Sequence, residues 1–258
     1  MKIACMLTVW NEIEYIPYKI AFCKQNSLVP YVVDNYSDDG TWEWLQDNKI
    51  HSHRLDTNGM FKLRPLQNEL IKTLHQMEPK PDWCIYNGCD LFPLAHNNNL
   101  HDELVRLDSL GFNMANINNI DVYNTGEVIE DRGVNNVFNT YFYTGKTRNF
   151  TMIHKYSKRL HYQGDAVFIR DQVSNTGKIN GLQINYGNTK TAEERDGTLA
   201  RRSKAWENGE HKVHGSHYRV GKSKNWEWSK GELIDIRNTD NYKYVKYLQE
   251  LVPYEFTG

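Results

Sequence analysis

Residues 83–92 read Trp83-Cys-Ile-Tyr-Asn-Gly-Cys-Asp90-Leu-Phe92, an apolar run typical of a buried strand that ends in a carboxylate. Earlier in the chain, Tyr31-Val-Val-Asp34 ends in the same way and leads into a polar turn sequence. Two buried strands that each place an aspartate at their carboxyl end predict one edge of an open α/β sheet, where such sheets bind nucleotides. One of these sites could read a nucleoside while the other holds a metal against its phosphates.

The hydrophobic spacing of the first 120 residues alternates between strand and helix patterns. Short apolar runs predict strands at Ile3–Val9, Tyr31–Asp34, Ile50–Leu55, Trp83–Asn87 and Phe112–Ile120. Apolar residues at helical spacing predict helices over Glu12–Phe22, from Thr41 onward, over Lys62–Met77 and over Leu100–Leu110. This order predicts an α/β fold with a mixed, mostly parallel sheet that is flanked by helices and joined by right-handed crossovers.

The pattern weakens after residue 120. Aromatic, strand-like runs occur at Val137–Tyr143, Leu160–Ile169 and Gly181–Tyr186, and a last helix is predicted over Asn241–Leu251. The stretch Gly187–Gly215 has almost no apolar residues, which favours a mobile loop or lid. We expect one domain over residues 1–258, with a boundary between its two halves near residue 120; the resemblance described below implies that 1–120 is the nucleotide-sugar-binding half and 121–258 the acceptor-side half.

Charge is segregated along a chain whose composition is otherwise ordinary for a soluble globular protein. Of the 258 residues, 39% are apolar and 24% are charged, and the net charge is −1. Residues 1–140 hold 11 basic and 19 acidic side chains, whereas residues 141–230 hold 17 basic and 8 acidic ones. The basic block indicates a polyanionic partner, a diphosphate or a nucleic acid, unless it is simply a solvated face.

The cysteines and the chain's apolar segments predict a cytoplasmic protein. The four cysteines lack metal-type spacing and lie mostly in apolar contexts, which favours free thiols in a reducing compartment. The N-terminal apolar run is short and lacks a small-residue cleavage site, so it indicates a first strand and not a signal peptide. No segment is long and apolar enough to span a membrane.

Four segments together resemble the family 2 glycosyltransferases of the GT-A fold, in particular a bacterial and phage branch. They are Thr8-Val9-Trp-Asn11-Glu12, the stretch from Val32 to Thr41, Gly88-Cys-Asp90-Leu-Phe92, and His217-Tyr-Arg-Val-Gly-Lys222-Ser with the following Trp226-Glu-Trp-Ser-Lys230. The resemblance covers residues 1–95 and 210–232, and it does not extend over 120–210.

This resemblance implies a GT-A, Rossmann-like fold and an enzyme that moves a sugar from a nucleotide-diphosphate sugar to an acceptor hydroxyl with inversion. The implied metal is Mn²⁺ or Mg²⁺, held by Asp90 and His217. The family pattern has an aspartate where this chain has Gly88, so metal binding is expected to be weaker without nucleotide. The residues assigned to nucleotide binding are Thr8, Val9, Asn11, Glu12, Asp34, Asn35, Arg64, Asp90 and Lys222. Among them, Asp34 is expected to contact the base, and the side chains of Arg64 and Lys222 are expected to contact the phosphates.

The catalytic base and the acceptor stay open. Inversion requires a carboxylate near the acceptor hydroxyl, and the candidates are Asp121, at the end of a predicted strand, and Asp165, within an apolar run. The Glu130-Asp131 pair is more typical of a solvated loop.

The acceptor is a glycan or glycoconjugate, or else a hydroxymethylated base in phage DNA. Basic and tryptophan side chains between Arg201 and Trp228 suit a nucleic-acid groove. Gly88 keeps a further class open, an inactive module that binds a nucleotide sugar or polyanion on the same fold.

Overall fold

Strands and helices alternate through the first part of the chain, as the hydrophobic spacing predicts. The computed structural model describes residues 1–58, 62–123, 136–139, 141–143, 145, 147–163, 166–169, 173–188 and 233–257. The elements up to residue 123 are β1 (Ile3–Val9), α1 (Ile16–Gln25), β2 (Leu28–Asp34), α2 (Thr41–Asp47), β3 (Ser52–Arg54), α3 (Leu63–Gln76), β4 (Trp83–Asn87), β5 (Leu91–Ala95), α4 (Leu100–Ser109) and β6 (Met114–Tyr123).

Strands dominate the described residues after 123. They are β7 (Phe142–Tyr143), β8 (Arg148–Lys155), β9 (Leu160–Gln163), β10 (Ala166–Ile169), β11 (Thr176–Asn188) and β12 (Ile234–Asp235), and the helix α5 (Tyr242–Gln249) follows. Apart from its first two residues, which end β11, the loop predicted over 187–215 lies outside the described residues.

The central sheet is mixed, and its first strands are parallel. Strand β1 pairs in parallel with β2 and β4, and β2 pairs in parallel with β3. Strand β8 pairs antiparallel with both β4 and β6, so β6 runs in the same direction as β4. Strand β11 pairs in parallel with β6 and antiparallel with β5. The strands β1, β2, β4 and β6 therefore end at one side of the sheet, called here the carboxyl edge, and the predicted α/β class with a mostly parallel, helix-flanked sheet is confirmed.

Two apolar layers hold the helices against this sheet. Ile3, Cys5 and Leu7 of β1 pack with α1 and α4 on one face. Ala4 and Met6 of the same strand pack on the opposite face with α3. Because side chains alternate along a strand, β1 contributes to both layers and is buried along its whole length. All four cysteines are buried with free thiols.

The structure corrects several predicted boundaries. Helix α1 begins at Ile16 and not at Glu12, because Pro17 occupies the first turn, where its missing N–H is tolerated. The carbonyl oxygen of Glu12 accepts the backbone N–H groups of Tyr15 and Ile16. Strand β2 is longer than predicted and begins at Leu28.

Three strands were not predicted at all, namely β5, β8 and the two-residue β12. A proline within a short run argues against a strand, so Pro93 kept β5 from being predicted. In the structure β5 pairs on one side only, with β11, and an edge strand tolerates proline. Polar residues such as Arg148 and His154 interrupt β8, although His154 is fully buried. In the described part of the chain, no helix combines the length and apolar character that crossing a lipid bilayer requires.

Candidate functional site

The carboxylate of Asp34 lies fully buried at the end of β2. The backbone N–H of Ser37 donates to its Oδ2 at 3.1 Å, and the Ser37 hydroxyl donates to its Oδ1 at 2.5 Å. Arg54, at the end of the neighbouring β3, donates from Nε to Oδ2 at 3.2 Å. Burial raises the pKa of Asp34, while the hydrogen bonds from Ser37 and the charge of Arg54 oppose that rise. Asp34 therefore organises the turn and anchors an arginine, and its direct contact with a base stays a prediction.

The segment after β1 is tied to the turn after β2. Asn11, in the left-handed backbone region at φ +57°, donates its backbone N–H to Ser37 Oγ at 2.9 Å. Its side-chain amide exchanges hydrogen bonds with Asp38, at 2.7 Å to the carboxylate and 3.1 Å from the backbone N–H. The backbone N–H of Glu12 donates to Thr41 Oγ1 at 2.9 Å. The motif residues of the two strand ends thus hold each other in place.

Arg54 is a site residue that sequence reasoning missed. Its guanidinium carbon lies 4.4 Å from the ring centre of Tyr36 and 5.2 Å from that of Trp42. Its Nη2 donates to the Ser37 carbonyl oxygen at 2.5 Å. The sequence does show a basic residue near the end of a short predicted strand, but not that this residue lies beside Asp34. The strand register, which pairs Asp34 with Arg54, is what identifies Arg54 as a site residue.

The turn that carries Asp90 is fixed from beneath by a buried lysine. Lys19 of α1 is fully buried, lies 5.0 Å from the ring centre of Phe92 and donates from Nζ to the carbonyl oxygen of Leu91. The carbonyl oxygen of Asp90 accepts the backbone N–H of Tyr186 at 2.8 Å. These contacts hold the backbone of the turn and leave the Asp90 side chain half-buried.

The Asp90 carboxylate leans over Gly88. A Cβ atom at position 88 would lie 2.5 Å from Asp90 Oδ1, so glycine leaves the room that this side chain occupies. Within the described residues, neither Asp90 oxygen receives a hydrogen bond, and such oxygens suit a hard divalent cation. The described residues contain no group of three potential metal ligands. Asp90 therefore fits the predicted metal as a single ligand.

Asn87 is an unusual buried residue at the base of this turn. It is 2% exposed, and within the described part of the chain neither its amide nitrogen nor its amide oxygen has a hydrogen-bond partner. Leaving a buried polar group unpaired costs about 1–3 kcal/mol. Asn87 thus lowers the stability of the ligand-free protein at the position next to the Asp90 turn.

Replacing Asn87 with leucine is expected to raise the free energy of unfolding by about 1–2 kcal/mol, because the unpaired amide is replaced by an apolar side chain with the same branching. The melting temperature of the ligand-free protein should rise by about 2–6 °C, measured by thermal denaturation. Asn119→Leu is the matched control: Asn119 is 1% exposed and bonds both Gln183 and Asp121, so this variant should be destabilised. Equal destabilisation of both variants would show that Asn87 is satisfied in solution.

Asp121 is oriented by three donors that all reach the same oxygen. Its Oδ1 accepts Asn119 Nδ2 at 3.2 Å, Arg148 Nη2 at 3.1 Å and Asn185 Nδ2 at 2.6 Å. These donors belong to β6, β8 and β11, and the Asp121 side chain remains 24% exposed. Within the described residues Oδ2 receives no hydrogen bond. One oxygen is fixed and the other is available, which is the geometry expected of a positioned proton acceptor.

Sheet pairing places the three aspartates around the carboxyl edge. Strand β1 separates Asp34 from the end of β4, and β11 separates Asp90 from Asp121, since Asn185 pairs with both Leu91 and Asp121. Two strand spacings correspond to about 10 Å between backbones. The sheet thus brings three aspartates that are distant in the sequence to the same edge.

The remaining predicted site residues differ in what the structure shows. Thr8 Oγ1 lies 3.3 Å from Tyr86 Oη. The Val9 side chain is buried in the core, and its carbonyl oxygen accepts the backbone N–H of Asn35 at 2.9 Å. Arg64 is exposed in the first turn of α3. Three predicted residues lie outside the described residues, namely Asp165, His217 and Lys222.

The chain matches no protein-family model and no curated protein. Among solved structures, it is similar to S. aureus TarS 1–349, with 17% identity and a TM-score of 0.34. A second structure of this protein, in complex with UDP, matches with 19% identity and the same TM-score. In both cases the match covers 52% of this chain and 38% of the TarS chain, so this chain spans well under half of the structures it matches. At this level of similarity the function of TarS does not carry over.

Proposed function

We propose that the chain is a glycosyltransferase that uses a nucleotide-diphosphate sugar as donor. The observation that carries this proposal is the placement of three aspartates along the carboxyl edge, each in a different environment. Asp34 is buried and paired with Arg54; within the described residues, the Asp90 oxygens accept no hydrogen bond, and Asp121 has one fixed and one available oxygen. Such a division suits recognition of a nucleoside, binding of a diphosphate through a cation, and acceptance of a proton.

The donor diphosphate requires positive charge. Mn²⁺ or Mg²⁺ would neutralise the leaving diphosphate through oxygen ligands, with Asp90 holding it and His217 as the second ligand that the family resemblance implies. Arg64 lies in the first turn of α3, which follows β3, and Lys222 is assigned by its residue type; both are proposed phosphate partners. Because Gly88 supplies no carboxylate, the nucleotide itself must complete the metal site.

The transfer step is a single displacement at the anomeric carbon. The acceptor oxygen forms the new glycosidic bond while the bond to the diphosphate breaks, and the diphosphate leaves with the bonding electron pair. The proton of the acceptor hydroxyl passes to a carboxylate. Asp121 Oδ2 is available for this proton in the described structure, and Asp165 is the alternative that the sequence leaves open. Displacement from the opposite face inverts the anomeric configuration.

The donor site is tested by a thermal-shift panel of UDP, GDP, CDP and ADP, each with and without Mn²⁺. A nucleotide at a hundredfold excess over its dissociation constant should stabilise the protein by about 2.7 kcal/mol. Stabilisation together with metal-dependent hydrolysis of the matching nucleotide sugar would support the enzyme. Binding without hydrolysis or transfer to any acceptor would favour the inactive binding module, and no binding would contradict both.

Restoring the missing carboxylate is expected to strengthen metal binding. The Gly88→Asp variant should bind Mn²⁺ at least about tenfold more tightly without nucleotide, because a second anionic oxygen ligand joins Asp90. The nearest atom to the new Cβ is the end of the flexible Asp90 side chain, which can rotate away. Calorimetric titration with Mn²⁺ measures the change, and Gly88→Asn, which adds a neutral side chain of the same shape, is the control. Equal affinities for Asp and Asn at position 88 would argue against a metal at this turn.

The acceptor remains a choice between a glycan or glycoconjugate and a hydroxymethylated base in DNA. The residues proposed to contact DNA, Arg201 and Arg202, lie outside the described residues. If DNA is the acceptor, reversing both charges should weaken DNA binding and reduce the slope of its salt dependence by about two phosphate contacts. Unchanged binding and slope would leave the glycan as acceptor.

A further inference from the structure

Tyr36 presents an exposed ring at the carboxyl edge on a strained backbone. The residue is 53% exposed, and its φ of +54° lies in the left-handed region, which bulky side chains rarely occupy. That conformation is strained for a residue with a side chain, because its Cβ approaches the following carbonyl oxygen. Strain of this kind persists where the surroundings impose it, often at ligand-binding sites. Here it is associated with an aromatic ring placed over Arg54.

Among the residues that the structure describes, two hydrogen-bond partners of Arg54 are seen, which leaves further donors beside this ring. A guanidinium group carries five N–H donors, and the two bonds to Asp34 and to the Ser37 carbonyl oxygen use two of them. The Arg54 side chain is 27% exposed, whereas the Asp34 carboxylate behind it is fully buried. Arg54 is therefore the group of this pair that a ligand can reach. It can only donate hydrogen bonds.

We infer that Arg54 and Tyr36 form the base-recognition surface of the donor site and select a base with a carbonyl oxygen at pyrimidine C4 or purine C6, uracil or guanine, over cytosine or adenine. This inference rests on the proposed function. Uracil O4 and guanine O6 accept hydrogen bonds, whereas cytosine and adenine carry amino donors at the equivalent positions. Tyr36 supplies stacking, which every base tolerates, and Arg54 supplies the discrimination. Asp34 then acts by fixing the arginine and not by touching the base.

Calorimetric titrations with the full chain test this assignment. The probes are the matched pairs UDP and CDP, and GDP and ADP, all with Mn²⁺, together with inorganic pyrophosphate as a probe without a base. We expect UDP to bind about tenfold or more tightly than CDP, or GDP about tenfold or more tightly than ADP, since a good bidentate hydrogen-bonded pair discriminates between bases to this extent. Arg54→Met should remove that preference and leave the affinity for pyrophosphate unchanged.

Two further sets of variants keep the test valid if Arg54→Met is unstable. Removing Arg54 leaves the buried Asp34 carboxylate with one cation fewer, so the double variant Arg54→Met with Asp34→Asn removes both charges together. Tyr36→Ala changes an exposed side chain and should weaken the binding of both nucleotides in each pair about tenfold, so that the ratio of their affinities is preserved. Tyr36→Phe keeps the ring and should bind like the natural protein.

The outcomes separate this inference from the proposed function. If the natural protein binds neither nucleotides nor pyrophosphate, the proposed donor site is wrong. If it binds nucleotides but shows no preference within either pair, or if the Arg54 variants retain the preference, the base-recognition role of Arg54 is wrong while the donor site stands. Loss of preference in the Arg54 variants, with loss of affinity alone in Tyr36→Ala, supports the inference.

Discussion

Replacing Asp90 with asparagine is expected to lower metal-dependent turnover of the donor by about 10²–10³-fold while the fold is retained. The Asp90 carboxylate is half-buried and receives no hydrogen bond within the described residues, so an amide of the same shape can occupy its place. The amide cannot supply the anionic oxygen that a divalent cation prefers. Loss of a positioned charge at a developing oxyanion has effects of this size.

Hydrolysis of the nucleotide sugar, measured across a Mn²⁺ titration, gives the readout. Asp47→Asn is the matched control, because Asp47 is exposed at the end of α2, away from the carboxyl edge. The variant at position 90 should also bind nucleotide almost as well as the natural protein when metal is absent. Undiminished turnover with an unchanged Mn²⁺ requirement would exclude Asp90 as the metal ligand.

Replacing the proposed catalytic base, Asp121 or Asp165, with asparagine is expected to lower kcat by about 10²–10⁴-fold with little change in donor binding. In Asp121→Asn, the amide oxygen can keep the bonds from Arg148 and Asn185, and only the oxygen available for a proton is lost. The parallel variant Asp165→Asn tests the other candidate. The kcat should therefore fall in the variant whose aspartate accepts the proton and stay nearly unchanged in the other.

The pH dependence gives a readout that a structural effect would not reproduce. A carboxylate base must be ionised to accept a proton, so the rate of the proposed transfer should fall on the acid side of its profile. With Mn²⁺ saturating at each pH, the variant that lacks the base should lose the part of this acid limb that is due to the base, and the other variant should keep it. If both variants retain full kcat, neither aspartate is the base.

The main fold could be predicted because its signals are local. Leu66, Leu70 and Leu74 recur at helical spacing and form the fully buried face of α3. The runs that became β1 and β4 are continuous and apolar, as expected for strands covered on both faces. By contrast, β8 contains arginine, asparagine and histidine, and its pairing depends on partners on both sides that are distant in sequence.

The site was predictable at the strand ends and not beyond them. Asp34, Asp90 and Asp121 each follow an apolar run, so their common edge follows from a parallel sheet. Their partners depend on non-local pairing: Arg148 is 27 residues from Asp121, and Asn185 is 64 residues from it. The burial of Lys19 beneath the Asp90 turn had no sequence signal either, because lysine is rarely found fully buried.

The position of β8 has a consequence for cutting the chain. Strand β8 comes after residue 120 in the sequence, yet it pairs between β4, which lies well before that residue, and β6, which ends at Tyr123. A fragment that ends near residue 120 would lose this middle strand, and the facing sides of β4 and β6 would expose unpaired backbone N–H and C=O groups. Such open edges recruit strands from other molecules and promote aggregation. We therefore expect residues 1–120 expressed alone to precipitate, so that the proposed ligand binding is best studied in the intact chain.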